Sequence, residues 1–213
     1  MEKNEHGYQF HENWIQNVLK ISNAIAQNYS RNEPLDFDKD VIQLHFTSWL
    51  NAGRFGSFTF KNEFPNPEHK PILSCWMHVW PVSTVSAEES RILLEQSKRE
   101  KGLFCVCPNN TPLDQLFADW IGKLGRKHIL GVDMKLDHDY VIKGDHIAQF
   151  YYPKSFLEKV DLFYRDNTDI KNIDYQKLQE LATEKTNIHT IVIRNKELAE
   201  AKRNELLELF QNQ

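Results

Sequence analysis

Residues 102–117, GLFCVCPNNTPLDQLF, join an apolar run to the start of a helix. The first six residues carry no charge, which is typical of a central strand with both faces covered. Thr111 is a good N-cap residue, Pro112 suits the first helical position, and Asp114 falls at the third. The stretch therefore predicts a buried strand at 102–107, a turn, and a helix at 112–124.

Patterns on either side extend this unit into a sheet. Strand-like runs lie at 55–61, 71–82, 128–136 and 140–152. The first two are expected to pair as a hairpin, and the last reads as a hairpin by itself. We expect an α+β fold, with a mixed central sheet of about five to six strands flanked by helices.

Helical periodicity is found at both ends of the chain and once within the sheet region. It predicts helices at 11–29, 86–97, 154–164, 174–186 and 195–211, and residues 188–193 read as one further strand. Residues 41–49 fit either a strand or a helix. We predict an α+β core domain over residues 1–153 and a mostly helical C-terminal extension, 154–213, packed on that core.

Composition excludes several classes of protein. The 213 residues include 26 Lys and Arg against 30 Asp and Glu, for a net charge of −4, which removes the electrostatic footprint of a general nucleic-acid binder. No run approaches the roughly 18 apolar residues of a membrane span. The N-terminus lacks a secretory h-region. Three Cys without a CxxC pair indicate buried thiols rather than zinc. We expect a cytoplasmic protein with no cofactor and no structural metal.

Two clusters of Asp and His are candidates for a metal site. Asp137, His138 and Asp139 precede the predicted hairpin at 140–152, and Asp145 and His146 lie within it. If the hairpin brings them together, their imidazoles and carboxylates would suit Zn or Fe. The spacing fits no metal signature, and Asp-His pairs are also common in ordinary turns.

A second pattern resembles that of Mg²⁺-dependent nucleases. Asp133 and Lys135 form a D-x-K on a predicted strand, with Asp114 upstream. In such enzymes carboxylates hold Mg²⁺ and the Lys orients the attacking water. Asp114 is predicted on a helix, where it would break that geometry, and an ordinary strand end is the alternative.

The order of motifs over residues 41–154 resembles that of the RTX toxin-activating lysine acyltransferases. The matching pieces are His45, PILSCW at 71–76, the stretch LFCVCPNNTPLDQLF, Val132-Asp133, and IKGDHIAQF at 142–150. The resemblance implies an N-acetyltransferase-like fold. It also implies transfer of a fatty acyl group from acyl carrier protein to a lysine of another protein.

The resemblance also implies roles for individual residues. His45 would be the catalytic base, with an unperturbed pKa near 6.5 that suits the removal of a proton from a lysine ammonium. The family's catalytic Asp would fall near Cys105, where this sequence has no Asp. His78 and His128 are weaker candidates for the base. Cys105 and Cys107 are conceivable nucleophiles, but an apolar strand raises the pKa of a thiol and favours a packing role.

Binding of the acyl donor and of its carrier is expected at the two ends of the helix at 112–124. Asn109, Asn110 and Thr111 lead into its N-terminus, where free N–H groups attract the phosphates of an acyl donor. At its C-terminal end the cations are Lys123, Arg126 and Lys127. They would steer an acidic carrier protein, although cations at a helix C-terminus are favoured by the dipole in any case.

Two other functions remain open at the level of the sequence. The acidic balance, the abundant aromatics and the absence of a clean catalytic signature favour a non-enzymatic protein-binding factor, such as an immunity, antidefence or mobile-element protein. A Mg²⁺-dependent nuclease is the second alternative.

Overall fold

A computed structural model describes residues 2–4, 7–9, 35–79, 87–168 and 173–211. The helix predicted at 11–29 lies outside these residues. The chain divides into two compact units, Met1–Asp36 and Phe37–Gln213. In the first unit, strands β1 (Glu2–Asn4) and β2 (Gly7–Gln9) pair antiparallel.

The second unit is built on a seven-stranded mixed sheet. Its strands are β3 (Val41–Phe46), β4 (Ile72–Cys75), β5 (Leu103–Cys107), β6 (Arg126–Leu130), β7 (Asp139–Lys143), β8 (His146–Tyr151) and β9 (Ile188–Arg194). The order across the sheet is β3-β9-β8-β7-β4-β5-β6. Strands β4, β5 and β6 run parallel, and every other neighbouring pair is antiparallel. The predicted α+β class is confirmed, with more strands than the five to six expected.

Helices flank this sheet. They are α1 (Trp49–Arg54), α2 (Phe60–Glu63), α3 (Ala87–Arg99), α4 (Pro112–Gly122), α5 (Lys154–Asp166), α6 (Tyr175–Thr183) and α7 (Lys196–Gln211). A π-helical turn, Phe55–Thr59, joins α1 to α2 without a break. The helices predicted at 86–97, 112–124, 154–164, 174–186 and 195–211 are therefore confirmed within a few residues.

The strand predicted at 55–61 is wrong, because these residues continue the helix that begins at Trp49. The Ser48 hydroxyl starts that helix by accepting a hydrogen bond from the Asn51 amide at 3.3 Å. Helical spacing then brings the rings of Phe55, Phe60 and Phe64 together, with centroids 4.5–6.3 Å apart. Packing of these rings in one core overrides the local strand preference of aromatic residues.

The C-terminal segment is part of the central sheet. Strand β9 lies between β3 and β8, and Phe37–Gln213 form one compact unit. The boundary predicted at residue 153 therefore falls within a unit. Helix α7 packs on one sheet face, where Ala199 and Leu206 join the core of that face. Helices α1 and α4 contact the other face.

Candidate functional site

The carboxyl ends of β4 and β5 carry a cluster of polar side chains. Backbone pairing of the two strands continues as far as the Trp76 amide, which donates to the Val106 carbonyl at 3.1 Å. Beyond it, side chains bridge the chains: the Asn109 amide donates to the Met77 carbonyl at 2.9 Å, and the Cys107 thiol lies 3.1 Å from the same oxygen. The carboxyl ends of parallel strands are where α/β sheets usually bind ligands.

At the centre of this cluster, His78 contacts a carboxylate at each ring nitrogen. Its Nδ1 lies 3.1 Å from Asp114 Oδ2, and its Nε2 lies 3.0 Å from Asp161 Oδ1. Asp114 is fully buried, whereas the Asp161 side chain is 52 % exposed. The three side chains thus form a path from the protein interior to its surface.

Asp114 is held in place by the start of helix α4. Its Oδ2 accepts from the backbone and the hydroxyl of Thr111, at 3.0 and 2.8 Å, and its own amide donates to the Thr111 hydroxyl. Its Oδ1 accepts from the Val79 amide at 2.8 Å. Thr111 is the N-cap predicted from the sequence, and Asp114 is its partner in a capping box. The Asp114 carboxylate has a further role, because it also orients His78.

The surroundings of His78 favour its charged form. Burial lowers the pKa of His78, but hydrogen bonds and negative charges from Asp114 and Asp161 outweigh burial, so the pKa lies above 6.5. The ring stacks on Tyr164 at a centroid distance of 4.1 Å. The Tyr164 hydroxyl donates to the Val79 carbonyl at 2.6 Å. The imidazole is therefore fixed by both its edges and one face.

Asp139, at the start of β7, adds a second titratable group. Its Oδ1 accepts a hydrogen bond from the Met77 amide at 2.7 Å, one residue before His78. Burial raises the pKa of Asp139 to about 7, even though this bond and the charge of His78 lower it. Asp139 can therefore take up or release a proton near neutral pH.

Neither thiol of β5 is an activated nucleophile. Burial raises the pKa of Cys107, and the charge of Asp114 raises it further. Burial also raises the pKa of Cys105, against the opposing charges of Arg126 and Lys61. Since the thiolate is the reactive form, packing is the role that this geometry supports for both residues.

The structure places His45 far from this cluster. It is exposed on β3, an edge strand of the seven-stranded sheet, and its ring stacks on His189 at 4.8 Å. Four inter-strand steps separate β3 from β4, which is about 19 Å at the usual strand spacing. His45 is therefore not brought together with Asn109, and its catalytic role stays a prediction.

The predicted donor-binding residues do lie at the cluster. The Asn109 amide is 3.5 Å from His78 Nε2, and Thr111 caps α4. Asn110 is exposed and accepts a hydrogen bond from Gln115 at 3.0 Å. Because the Asp114 carboxylate already occupies the helix N-terminus, a donor phosphate would meet negative charge there. The donor-binding role of these three residues stays a prediction.

The three cations predicted to dock a carrier do not form one surface. Lys123 and Lys127 are exposed, whereas Arg126 is 5 % exposed. Successive residues of a strand point to opposite faces, so Arg126 and Lys127 leave β6 on different sides. This corrects the prediction for Arg126 and leaves Lys123 and Lys127 as candidates.

The two proposed metal clusters are not assembled. Asp137 and His138 precede β7 at the open end of the β7–β8 hairpin, whereas Asp145 and His146 lie at its turn. In the described part of the chain, no three His, Cys, Asp or Glu side chains come together as a metal site requires. The hairpin therefore separates the two halves of the predicted Zn or Fe cluster.

The nuclease pattern is also dispersed. Asp133 and Lys135 are exposed on the segment after β6, which is not a strand, while Met134 between them contacts Cys75 at 3.7 Å. Asp114 is fully buried and serves His78. The acid pair that would hold Mg²⁺ beside Lys135 is therefore not formed by these residues.

From the sequence, His78 was predicted to be a weaker candidate for the base than His45, and Asp161 was not identified. His78 lies within the strand predicted at 71–82, and Asp114 was recognised as the third residue of a capped helix. Their contact joins residues 36 positions apart. Asp161 lies on α5, a further 47 positions along, among other exposed charges. Nothing in the local sequence marks it as a partner of His78.

Comparison with known proteins adds little to this geometry. No family model and no curated protein matches the chain. Among solved structures, one match is TrmBL2, an archaeal chromatin protein described as showing a novel mode of DNA binding. Its TM-score is 0.47 at 9 % identity, covering 94 % of this chain and 63 % of that one. This chain thus spans less than two thirds of that protein, and a likeness at this level supports no inference about function.

Within the described residues, no helix has both the length and the apolar character needed to cross a bilayer.

Proposed function

We propose that this chain is an enzyme with His78 as its acid–base residue, and that it transfers an acyl group from an acyl carrier to a protein lysine. The observation that carries the acid–base role is the contact of His78 with a carboxylate at each ring nitrogen. The choice of acyl transfer rests on the resemblance of the sequence to the toxin-activating acyltransferases.

The chemistry begins with a proton on the substrate amine. A lysine ammonium must lose a proton before its nitrogen can attack a thioester carbonyl. Asp114 holds Nδ1 of His78, so Nε2 is the atom that meets Asp161 near the surface. Above its raised pKa His78 is neutral. When the ammonium then takes the place of the contact with Asp161, Nε2 accepts its proton, and the half-exposed Asp161 carboxylate attracts the positive charge.

The remaining steps use the same group of residues and the solvent. After His78 has passed the first proton to solvent, the amine forms a C–N bond to the acyl carbon and gives its second proton to His78. The C–S bond of the thioester breaks, and the carrier thiolate takes up the proton held by His78. The Asn109 amide, 3.5 Å from Nε2, is positioned to donate to the oxygen on which negative charge develops. Of the two protons that the lysine loses, one thus reaches the leaving sulfur through the imidazole, and the other passes to solvent.

The carrier would dock at the far end of helix α4. Exposed Lys123 and Lys127 follow the eleven residues of that helix, which spans about 16 Å from Thr111. An acidic carrier held by these two cations would present its acyl group one helix length from His78. Such attraction between exposed charges weakens as ionic strength rises.

The test compares two histidine variants in one assay. The purified chain is incubated with acyl carrier protein loaded with a long-chain acyl thioester and with lysine peptides, and transfer is read as a gain of peptide mass. His78→Gln is expected to lower the rate by about 10²–10⁴-fold, the usual contribution of a general base. His45→Ala tests the residue predicted from the sequence under identical conditions.

Thermal unfolding of each variant shows whether it is folded at the assay temperature. Equal transfer by wild type and folded His78→Gln would remove His78 from the mechanism. Absence of transfer by the wild type, with every acyl length supplied, would contradict the reaction class itself.

A second candidate, the non-enzymatic protein-binding factor, is favoured by one surface feature. A groove of about 490 Å³ lies between α5 and α6 with an apolar floor of Leu162, Phe163 and Leu181. Leu162 is 41 % exposed. The rim is charged, and its members include Lys159, Lys177, Glu180 and Glu184. Exposed apolar surface rimmed by charge is typical of protein-binding sites, and this candidate predicts no transfer by the wild type.

A further inference from the structure

Three cationic side chains, Lys61, Arg126 and Lys143, are buried on the sheet face that α4 contacts, and the Lys143 ammonium donates to the Lys61 carbonyl. Lys61 of helix α2 is 1 % exposed, and Arg126 at the start of β6 is 5 % exposed. Lys and Arg are almost never fully buried in proteins unless a negative group pairs with them. Burial and the neighbouring Arg126 lower the pKa of Lys61 well below its usual value, and burial also lowers the pKa of Arg126. A negative group beside them would restore both charges.

Strand register brings a third nitrogen group beside them. Arg126 and His128 are alternate residues of β6, so they point to the same face of the sheet. His128 lies opposite Cys105, and Cys105 lies opposite Ser74. The positive charges of Arg126 and Lys61 act on His128, because with burial as the largest cause they lower its pKa to about 3. We call Lys61, Arg126 and His128 the buried cation cluster.

The described residues supply no counter-ion for this cluster. In the described part of the chain, no carboxylate is among the groups that act on the charge of Lys61 or of Arg126. Cys105 is a neutral thiol, since burial raises its pKa. The Nε2 atom of His128 is buried without a hydrogen-bond partner.

We infer that the buried cation cluster binds a small tetrahedral oxyanion, phosphate or sulfate, between Lys61, Arg126 and His128. The planar fork of a guanidinium matches two oxygens of such an anion, and an ammonium contributes a point charge to a third. A divalent anion would also balance the two cations. Without a bound anion, burial keeps the pKa of both Lys61 and Arg126 below their usual values.

This site is separate from the cluster around His78. Arg126 is the first residue of β6, whereas His78 follows the last residue of β4, and the strands run parallel. The anion would thus lie toward the amino ends of the strands, and the acid–base residues lie at their carboxyl ends. The inference does not depend on the proposed enzymatic function.

Thermal unfolding in matched salts tests the site. The full chain is dialysed into chloride and then compared in phosphate, in sulfate and in chloride at equal ionic strength. Phosphate or sulfate is expected to raise the unfolding midpoint of the wild type by roughly 3–6 °C at ten times its dissociation constant. The anion that raises the unfolding midpoint at the lower concentration is the one that the site prefers.

Two variants each remove one cation of the buried cation cluster, and a third is the control for general effects of the salt on stability. Arg126→Met and Lys61→Met are expected to be at least as stable as the wild type in chloride, since apolar residues replace unpaired charges, and to lose the specific shift. Lys127→Met removes an exposed cation from the neighbouring position of β6. This variant should keep the rise of the unfolding midpoint in phosphate or sulfate. General stabilisation by excluded salts affects all four proteins alike.

Equilibrium dialysis with labelled phosphate and with labelled sulfate completes the test. About one anion bound per wild-type chain and none by Arg126→Met is the expected result. An identical salt response in wild type and Arg126→Met, or no anion retained by the wild type, would overturn the inference.

Discussion

The Nδ1 atom of His78 lies 3.1 Å from Oδ2 of Asp114, across 36 residues of sequence. This contact ties the end of β4 to the first turn of α4, because Asp114 is also the third residue of that helix and bonds to Thr111. One carboxylate therefore caps a helix and orients an imidazole. Structural and chemical roles overlap in it, so experiments must separate stability from activity.

Protonated His78 is expected to stabilise the fold in a defined pH range. The pKa of His78 lies above 6.5, since its carboxylate partners outweigh burial. A group with a raised pKa contributes fully below its unfolded value and loses the contribution as pH rises through the folded value. His78→Gln should therefore cost about 1.5–3 kcal/mol at pH 6 and progressively less above that.

Denaturant unfolding of wild type and His78→Gln across pH measures this difference. Imidazole NMR of the wild type should show His78 titrating above 6.5, and Asp161→Asn should lower that pKa. A stability difference that stays constant with pH would show that protonation of His78 plays no part.

Asp139 is expected to show the opposite dependence on pH. Burial raises its pKa to about 7 from 3.8, so ionisation destabilises the folded state. The cost grows as pH rises from about 4 to 7 and reaches roughly 4 kcal/mol above it, at 1.36 kcal/mol per pKa unit. Asp139→Asn keeps an oxygen for the Met77 amide and cannot ionise.

The variant should match the wild type near pH 3.5 and exceed its stability at pH 8. Unfolding midpoints of both proteins across this range provide the measurement. If Asp139→Asn were no more stable than wild type at pH 8, the carboxyl would already be neutral or compensated there.

Gly56 is expected to be essential for packing around the π-helical turn. A Cβ atom there would lie 2.8 Å from Cζ of Phe150 and 3.2 Å from the Trp76 ring. Gly56→Ala should therefore destabilise the protein by about 1–3 kcal/mol, the usual cost of overpacking a core. The matched control is Gly122→Ala at the end of α4, where a Cβ meets nothing within 4 Å.

Gly122→Ala should be neutral or stabilising by up to about 1 kcal/mol, because Ala is the better helix former. Urea denaturation of the two variants gives both values. Equal effects at the two glycines would argue against tight packing at residue 56.

The three thiols are expected to be unreactive in the folded protein. Cys75, Cys105 and Cys107 are buried, and burial is the largest cause of the raised pKa of each. Iodoacetamide at pH 8 should leave the native chain unmodified and label all three Cys in denaturant. Rapid labelling of Cys107 alone would instead point to a reactive thiol beside His78.

Local features of the sequence predicted those elements that local interactions stabilise. The turn after β5 is specified by Thr111, Pro112 and Asp114 within four residues, and the helix begins there in the structure. The hairpin at 140–152 is likewise a local unit around Gly144, whose φ of 54° suits the turn. Such elements could be predicted from the local sequence, without knowledge of the residues that pack against them.

Elements and contacts that depend on residues far away in the sequence could not be predicted from local patterns. Phe58 and Phe60 flank Thr59 in a pattern that fits a strand, whereas the contacts of Phe55 and Phe60 with Phe64 and of Phe55 with Phe150 favour the helix. The pairing of His78 with Asp161 spans 83 residues. Arg126 looked like a surface cation because the sequence does not say which face of β6 is covered.

Strand order has a consequence for synthesis on the ribosome. The partner of β3 in the sheet is β9, with Val41 opposite Ile193, roughly 150 residues later. At 5–20 residues per second, β3 leaves the ribosome about 8–30 s before the strand that pairs with it. The edge of β8 that pairs with β9 is also unpaired until β9 has been synthesised. Until residue 194 has emerged, the edges of β3 and β8 that pair with β9 stay open to pairing with other nascent chains.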